Sequence, residues 1–326
     1  MERIRYTGEI PEKEITQIFN ETMEEMLKSD PKVVYLDADL MGSLKTSSLW
    51  KKYPKQVFNT GIQEANMVGV AAGLYLAGFT PFIHSFTPFA TRRVFDQLFI
   101  SVAYAHKSIR VIGSDVGIAA TFNGGTHMCF EDVAMIRTVP DACIIDVSDG
   151  VMFSKLLKES KNYTGLCYFR TARRGVSDIY CASEEFEIGK GKILIDGIDV
   201  TIIATGLQVS QALEAARLLK DQGVSARVID IVTIKPLDIK LIIESARKTG
   251  AIVTTENHNV EGGLGDAVAS AVAAAYPVPV LKNGVMDTFG QVGGEPFLRE
   301  QFKMRSCDIA ELAYKAIQMK NSIGKE

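Results

Sequence analysis

No two of the five cysteines (Cys129, Cys143, Cys167, Cys181 and Cys307) form a CxxC pair. That absence removes the usual spacings of zinc sites and of disulfide frameworks. The five read as small buried hydrophobes. Also missing is any uncharged apolar run of the roughly 18 to 20 residues that a membrane-spanning helix needs. The opening MERIRYTGEIPEKE is too polar for a secretory signal, so the expected location is the cytoplasm. Charge bias is lacking too: 36 Lys and Arg face 39 Asp and Glu, scattered rather than massed, for a net charge of -3. Such a surface has no electrostatic footprint for nucleic acid or an anionic membrane. A full GxGxxG after a strand, with an acid about twenty residues on, is absent as well, and the glycines of residues 262–265 do not complete one. An NAD-dependent dehydrogenase, which bare βαβ alternation would admit, therefore lacks its phosphate fingerprint.

What the chain does have is length and alternation. Its 326 residues, 47% of them hydrophobic, exceed one ordinary core and call for two. Runs rich in β-branched residues (KVVYLDADL, TPFIHSF, SIRVIGSDVG, DACIIDV, GLCYFRTA) alternate with helical segments over Glu64 to Leu76 and Arg92 to Ala105. This predicts parallel strands joined by right-handed helical crossovers. The polar, Gly-containing SDIYCASEEFEIGKGKILIDG is the expected linker with a short hairpin. Beyond it, DVTIIATG, the amphipathic QVSQALEAARLLKDQG and SARVIDIVTI read as one βαβ unit. AIVTTEN, EGGLGDAVASAVAAAY and VPVLKNGV add strand, helix and strand. The expected fold is α/β, with two α/β domains, 1–182 and 183–326, each a mostly parallel sheet with helices on both faces.

One acid stands out. In NTGIQEANMVGVAAGLYLAGF, residues 67–79 carry no charge, yet Glu64 sits one turn before them. A first-turn carboxylate is favoured by the free N–H groups and dipole of a helix, by about 0.3 to 1 kcal/mol, and that alone would account for it. A helix apolar all round, however, is expected to be buried, and an acid at its mouth then needs a partner.

GIQEANMVGVAAGL resembles the G-I-x-E segment in the pyrimidine-binding domain of transketolases, which depend on thiamine diphosphate. The resemblance implies that Glu64 hydrogen-bonds the N1' atom of the aminopyrimidine and favours the imino tautomer whose nitrogen removes the C2 proton of the thiazolium. It extends in order along nearly the whole chain. SFTPFATRRVFDQ is similar to the family's aromatic stretch, which implies that Phe86 and Phe89 pack on the pyrimidine; taken alone, two such phenylalanines are more often core. SDVGIAATFNGGTHMCFEDVAMIRTVP looks like the loop ending in G-x-T-H. His127 would then contact the donor sugar and relay protons, whereas the residue by itself is equally a helix-start histidine. DADLMGSL looks like the D-L-x-x-S loop, implying Asp39 and Leu40 beside the cofactor and Ser43 near the sugar phosphate. YFRTARR offers Arg170, with Arg173 close behind, for phosphate, against the plainer reading of solvated surface arginines. ATG, KPLD, TTENHNVEGGLGDAVA and DTFGQVGG are similar to the family's C-terminal domain.

Departures shape the rest. The family's G-D-G segment, followed by an Asn that helps bind diphosphate and divalent metal, does not occur. The reading is therefore the second half of a split transketolase, which transfers a two-carbon ketol unit from a ketose to an aldose. A partner chain would bind the diphosphate and hold Mg2+ or Ca2+, the assembly would be a heterotetramer, and no metal ligand would come from this chain. Asp115 stands where the family commonly has His, Asn123 where it has an acid, and Gln63 replaces the usual Arg or Gly-Arg before the Glu. An anionic Asp115 opposes phosphate, so the expected sugar is a modified, branched or sulfonated one. The alternatives are a 1-deoxyxylulose-5-phosphate synthase-like or 2-oxoacid dehydrogenase β-type subunit, or a noncatalytic assembly subunit.

Overall fold

The computed structural model describes residues 4–323. Twelve strands lie in chain order: β1 Val33–Asp37, β2 Val57–Asn59, β3 Thr80–Phe86, β4 Ile109–Ser114, β5 Cys143–Asp146, β6 Leu166–Thr171, β7 Lys192–Ile195, β8 Val200–Ala204, β9 Ala226–Asp230, β10 Thr233–Lys235, β11 Ile252–Asn259 and β12 Val280–Val285. They form two sheets, ordered β10-β5-β6-β4-β3-β1-β2 and β12-β11-β8-β9-β7. All pairings are parallel except β10 with β5 and β7 with β9, so each sheet is mostly parallel with one antiparallel edge. Every residue of β1, β4, β5, β6, β8 and β9 is buried, as expected for parallel strands covered on both faces.

Three sequence expectations change. SARVIDIVTI, read as one strand, divides: β9 stays in the second sheet, while β10 crosses over to become an edge of the first. Both parts are buried almost throughout, so hydrophobicity alone gives no sign of the break. The linker holds no hairpin; its KILI is the antiparallel edge strand β7, paired with β9. The helix Glu64–Leu76 forms as expected but is only half covered. Met67, Val68, Ala71 and Ala72 face the core, while Val70 and Leu76 are exposed, as are Ile100 and Tyr104 on the neighbouring helical segment Gln97–Tyr104. Residues 1–32, which the alternation leaves without an element, contain the helix Ile15–Ser29, whose Ile15, Phe19, Met23, Met26 and Leu27 pack into the main core.

Buried polar groups tie the two sheets together. Asp149 caps the helix Gly150–Glu159 through Met152 N (2.8 Å) and also accepts from Ile179 N and Tyr180 N. At the end of β9, Asp230 accepts from Ser148 Oγ (2.6 Å) and Tyr180 Oη (2.7 Å), leaving its Oδ1 without a partner. Burial pushes the Asp230 carboxyl up to about 7. The folded chain therefore keeps this proton between about pH 4 and 7 while the unfolded chain has lost it. Stability from this group is present at low pH and is lost as pH rises toward 7, at about 1.4 kcal/mol per unit. Glu256 and Asp146 act in the same direction and His258 in the opposite one, so the informative quantity is a difference. Asp230→Asn is expected to remove part of this decline: urea midpoints measured from pH 5 to 8 will converge on, or cross, those of the parent as pH rises. Parallel curves for the two proteins would refute the assignment.

Candidate active site

The site gathers at the carboxyl ends of β1, β3 and β4, neighbours in the first sheet, where open α/β sheets bind ligands. The turn after β2 brings Glu64 there. Asn59 Oδ1 accepts from Asp39 N (3.1 Å) and Gly61 N (2.9 Å), which locks the loop after β1 to the turn that starts the Glu64 helix. Gly61 has φ +74, a conformation that favours glycine. Glu64 is the first residue of its helix and 3% exposed. Its Oε1 accepts from Ser85 Oγ (3.2 Å) and from Arg93 Nη1 (2.9 Å).

Phe86 ends β3 and Phe89 follows on the short helix Thr87–Ala90, their ring centroids 6.4 Å apart. His127 lies edge-on to both, at 6.0 Å from Phe86 and 5.3 Å from Phe89. The Arg93 guanidinium sits over Phe89 at 3.8 Å from the centroid, while also pairing with Glu64. A flat group bearing N–H donors thus lies on the aromatic ring with a donor on the buried acid.

Beneath this surface runs a chain of buried hydrogen bonds. Asp37 Oδ2 accepts from Tyr35 Oη (2.7 Å) and meets His84 Nδ1 (2.8 Å), and His84 Nε2 meets Ser114 Oγ (2.9 Å). These groups fix the strand ends from which Phe86 and Asp115 project. Residues 116–118 are held to β11 by Asn257, which accepts from Ile118 N (3.1 Å) and donates to Val116 O (3.0 Å). The approach is so close that a Cβ on Gly117 would fall 2.2 Å from Asn257 Oδ1.

The other sequence-selected residues divide. Asp115, 3% exposed and at φ +59, accepts from Arg173 Nε (2.7 Å), and the Arg173 guanidinium reaches over Phe86 at 5.1 Å. Asp39 is exposed and hydrogen-bonded to Asn59 Nδ2 (3.0 Å). Leu40 and Ser43 are half-buried in the same loop, and Asn123 is exposed at the end of the 3-10 segment Gly117–Asn123. Arg170, offered first for phosphate, does not reach the site. It lies inside β6, fully buried, and its donors are spent on Asp132, Asp146 (2.8 Å) and Asn257 O (2.9 Å). Burial pushes Asp146 up to about 6; burial opposes ionisation of Asp132 too, yet Arg170 and His258 hold it below the usual carboxylate range. Arg170 is a structural ion between the two sheets.

Sequence reasoning passed over Arg93, Ser85 and the Asp37–His84–Ser114 chain. No local signal marked the first: Phe89 and Arg93 lie on separate short helical segments broken at Thr91, so no single helical face joins them. Among the described residues, no group of three or more His, Cys, Asp and Glu side chains is placed to hold a metal ion, and no helix is long and apolar enough to cross a membrane.

Comparison with known proteins fits this geometry. The transketolase pyrimidine-binding domain model matches residues 12–177 and the transketolase C-terminal domain model residues 189–309. The chain is 42% identical to the 6-deoxy-6-sulfo-D-fructose transketolase subunit of Clostridium sp. (strain MSTE9), across 91% of this chain and 92% of that one. It is 35% identical to an apulose-4-phosphate transketolase subunit of Phocaeicola vulgatus, across 82% and 86% of the two chains. A solved split-gene transketolase, described as an inactive β4 tetramer, superposes with a TM-score of 0.86 at 37% identity, covering 94% of this chain and 99% of that one. With both domains matched, the chain belongs to the transketolase family, whose members depend on thiamine diphosphate and a divalent metal.

Proposed function

We propose that this chain is the pyrimidine-side subunit of a two-chain transketolase that moves a two-carbon ketol unit from a non-standard ketose to an aldose. The observation that carries the reading is the 3%-exposed Glu64 joined through the flat Arg93 guanidinium to the ring of Phe89, which in turn neighbours Phe86. Thiamine diphosphate, when bound, supplies the carbon nucleophile that cleaves the ketose. Glu64 holds a proton at the pyrimidine nitrogen, and the low exposure of the carboxylate keeps water from competing for it. Phe86 and Phe89 form the apolar wall against the ring, so Arg93 must swing aside, as a side chain 44% exposed is free to do. Asp39 and Leu40 border the cofactor, Ser43, Asn123 and Asp115 border the sugar, and His127 moves protons near the reacting carbon.

The diphosphate and its Mg2+ or Ca2+ belong to a partner polypeptide, and two copies of each chain form a heterotetramer in the cytoplasm. The uncovered apolar residues Val70, Leu76, Ile100 and Tyr104, on two helical segments that pack against each other, support that partner. The subunit relatives, whose lengths this chain spans almost whole, support it too. A domain division at 182/183 falls between the two matched family regions. The unusual sugars named for those relatives agree with Asp115 standing in the sugar site.

The test is reconstitution: the partner chain, this chain, thiamine diphosphate and a divalent metal together should transfer ketol units, and each chain alone should be silent. Phe89→Ala is expected to weaken thiamine diphosphate binding by roughly tenfold, through lost stacking of about 0.5 to 1.5 kcal/mol and lost burial. Titration of the two-chain complex with the cofactor reads this directly, and an unchanged affinity would remove the aromatic wall from the proposal.

A further inference from the structure

One side chain of this protein covers both the buried acid and the aromatic ring beside it. Arg93 Nη1 donates to Glu64 Oε1 (2.9 Å) while the guanidinium lies on the Phe89 ring, 3.8 Å from its centroid. These are two of the groups that the proposed function assigns to the pyrimidine. Three features make the cover removable. First, the ion pair is lopsided: the Glu64 side chain is 3% exposed, that of Arg93 44%. A pair with one partner so open to water contributes little net stability, and a cation resting on an aromatic face adds only a modest amount. Second, among the described residues Arg93 makes no other side-chain hydrogen bond or ion pair. The neighbouring Arg92 pairs with Glu131 instead. Third, Arg93 does not sit in a regular helix. The helix Thr87–Ala90 stops at Thr91, the 3-10 turn Arg92–Val94 carries the arginine, and the π-helical segment Gln97–Tyr104 follows. Interruptions of this kind are common at hinges and functional sites.

Resting on the transketolase reading and deepening it, we propose that Arg93 is a gate on the cofactor site: its guanidinium, held by Glu64 and Phe89, competes with the aminopyrimidine, and thiamine diphosphate binds only those molecules in which Arg93 has swung out. The closed arrangement serves the cofactor-free protein. Without Arg93, the buried Glu64 carboxylate would keep one side-chain donor, Ser85 Oγ (3.2 Å), and a buried charge short of partners is costly. Binding then becomes an exchange, in which the cofactor takes over the acid and the ring that the guanidinium gives up. Rotation of an exposed side chain takes nanoseconds or less, far faster than association. The gate therefore lowers the association rate and the affinity by one common factor, the fraction of molecules that are open, and leaves dissociation untouched.

The experiment measures equilibrium binding, association and dissociation of thiamine diphosphate, at fixed Mg2+, for the two-chain complex of the parent and of Arg93→Met. Methionine keeps an apolar chain beside Phe89 and removes the charge and the donors. Affinity is expected to rise by about three- to tenfold, the worth of one exposed ion pair and one cation–π contact. The whole gain should appear in the association rate, with dissociation unchanged within about twofold. Arg93→Lys, which keeps the charge and loses the flat surface, should fall between the two. Weaker or unchanged binding by Arg93→Met, the result for a cofactor ligand or a bystander, overturns the proposal, and so does a gain carried by slower dissociation. If the variants do not assemble with the partner, arginine-specific labelling of the parental complex by phenylglyoxal decides. Thiamine diphosphate should speed modification of Arg93 relative to Arg92; equal or slower modification overturns the gate. If neither parent nor variant binds thiamine diphosphate, the transketolase reading itself falls and the gate with it, whereas binding by the variant alone supports both.

Discussion

Glu64→Gln is expected to lower turnover of the two-chain enzyme by two to four orders of magnitude, the usual worth of a positioned proton-transfer group. The substitution is nearly isosteric. Its amide oxygen can still accept from Ser85 Oγ and Arg93 Nη1, the two bonds that Glu64 Oε1 makes, so the helix start and the wall of the site are retained. What is lost is the charge that favours a proton on the pyrimidine nitrogen. The two chains should still assemble, and thiamine diphosphate should still bind, with a modest loss for one weakened hydrogen bond. Turnover, native mass of the complex and cofactor affinity must therefore be measured together. Parental turnover in the variant would leave this chain as an assembly subunit; loss of assembly would make Glu64 a structural acid instead.

Arg170 should give the largest stability effect. Arg170→Leu strips the counter-charge from Asp132 and Asp146, both fully buried, and from the carbonyl of Asn257 on the second sheet. Removing one partner of a buried ion network typically costs about 3 to 5 kcal/mol, because the remaining charges have no water to turn to. Urea unfolding of the isolated subunit at pH 7.5 should show that loss. It should shrink as pH falls from 7.5, because without Arg170 the orphaned carboxyls of Asp146 and Asp132 take up protons at pH values where Arg170 keeps them ionised in the parent. A loss below 1 kcal/mol would mean that water enters the network. Arg173→Leu, at a position beyond the strand end, should cost far less stability while disturbing the sugar site.

The contrast between these two arginines shows what the sequence could and could not convey. YFRTARR displays Arg170, Arg173 and Arg174 within five residues, and fold-level pattern alone cannot tell which of them leaves the sheet. The end of β6 at Thr171 decides it, and strand boundaries are the features that periodicity marks least. Glu64, by contrast, was legible because a lone charge before a long apolar run is locally conspicuous. The alternating strands were legible for a similar reason: buried parallel strands are continuous β-branched runs. That same continuity concealed the break between β9 and β10, since neither piece shows a polar face to solvent. Arg93 went unread because its role depends on Glu64, 29 residues away, and no local pattern encodes that meeting. The half-bare face of the Glu64 helix went unread because composition tells how apolar a helix is, not how many neighbours its own chain provides.

The excursion of β10 has a mechanical consequence. By hydrogen-bonding into the far edge of the first sheet, against β5, this short segment stitches the two lobes into one body. Swinging them apart like a clamshell would tear a strand from its ladder. Any opening of the site must therefore come from small excursions of its rim loops rather than from separation of the two sheets.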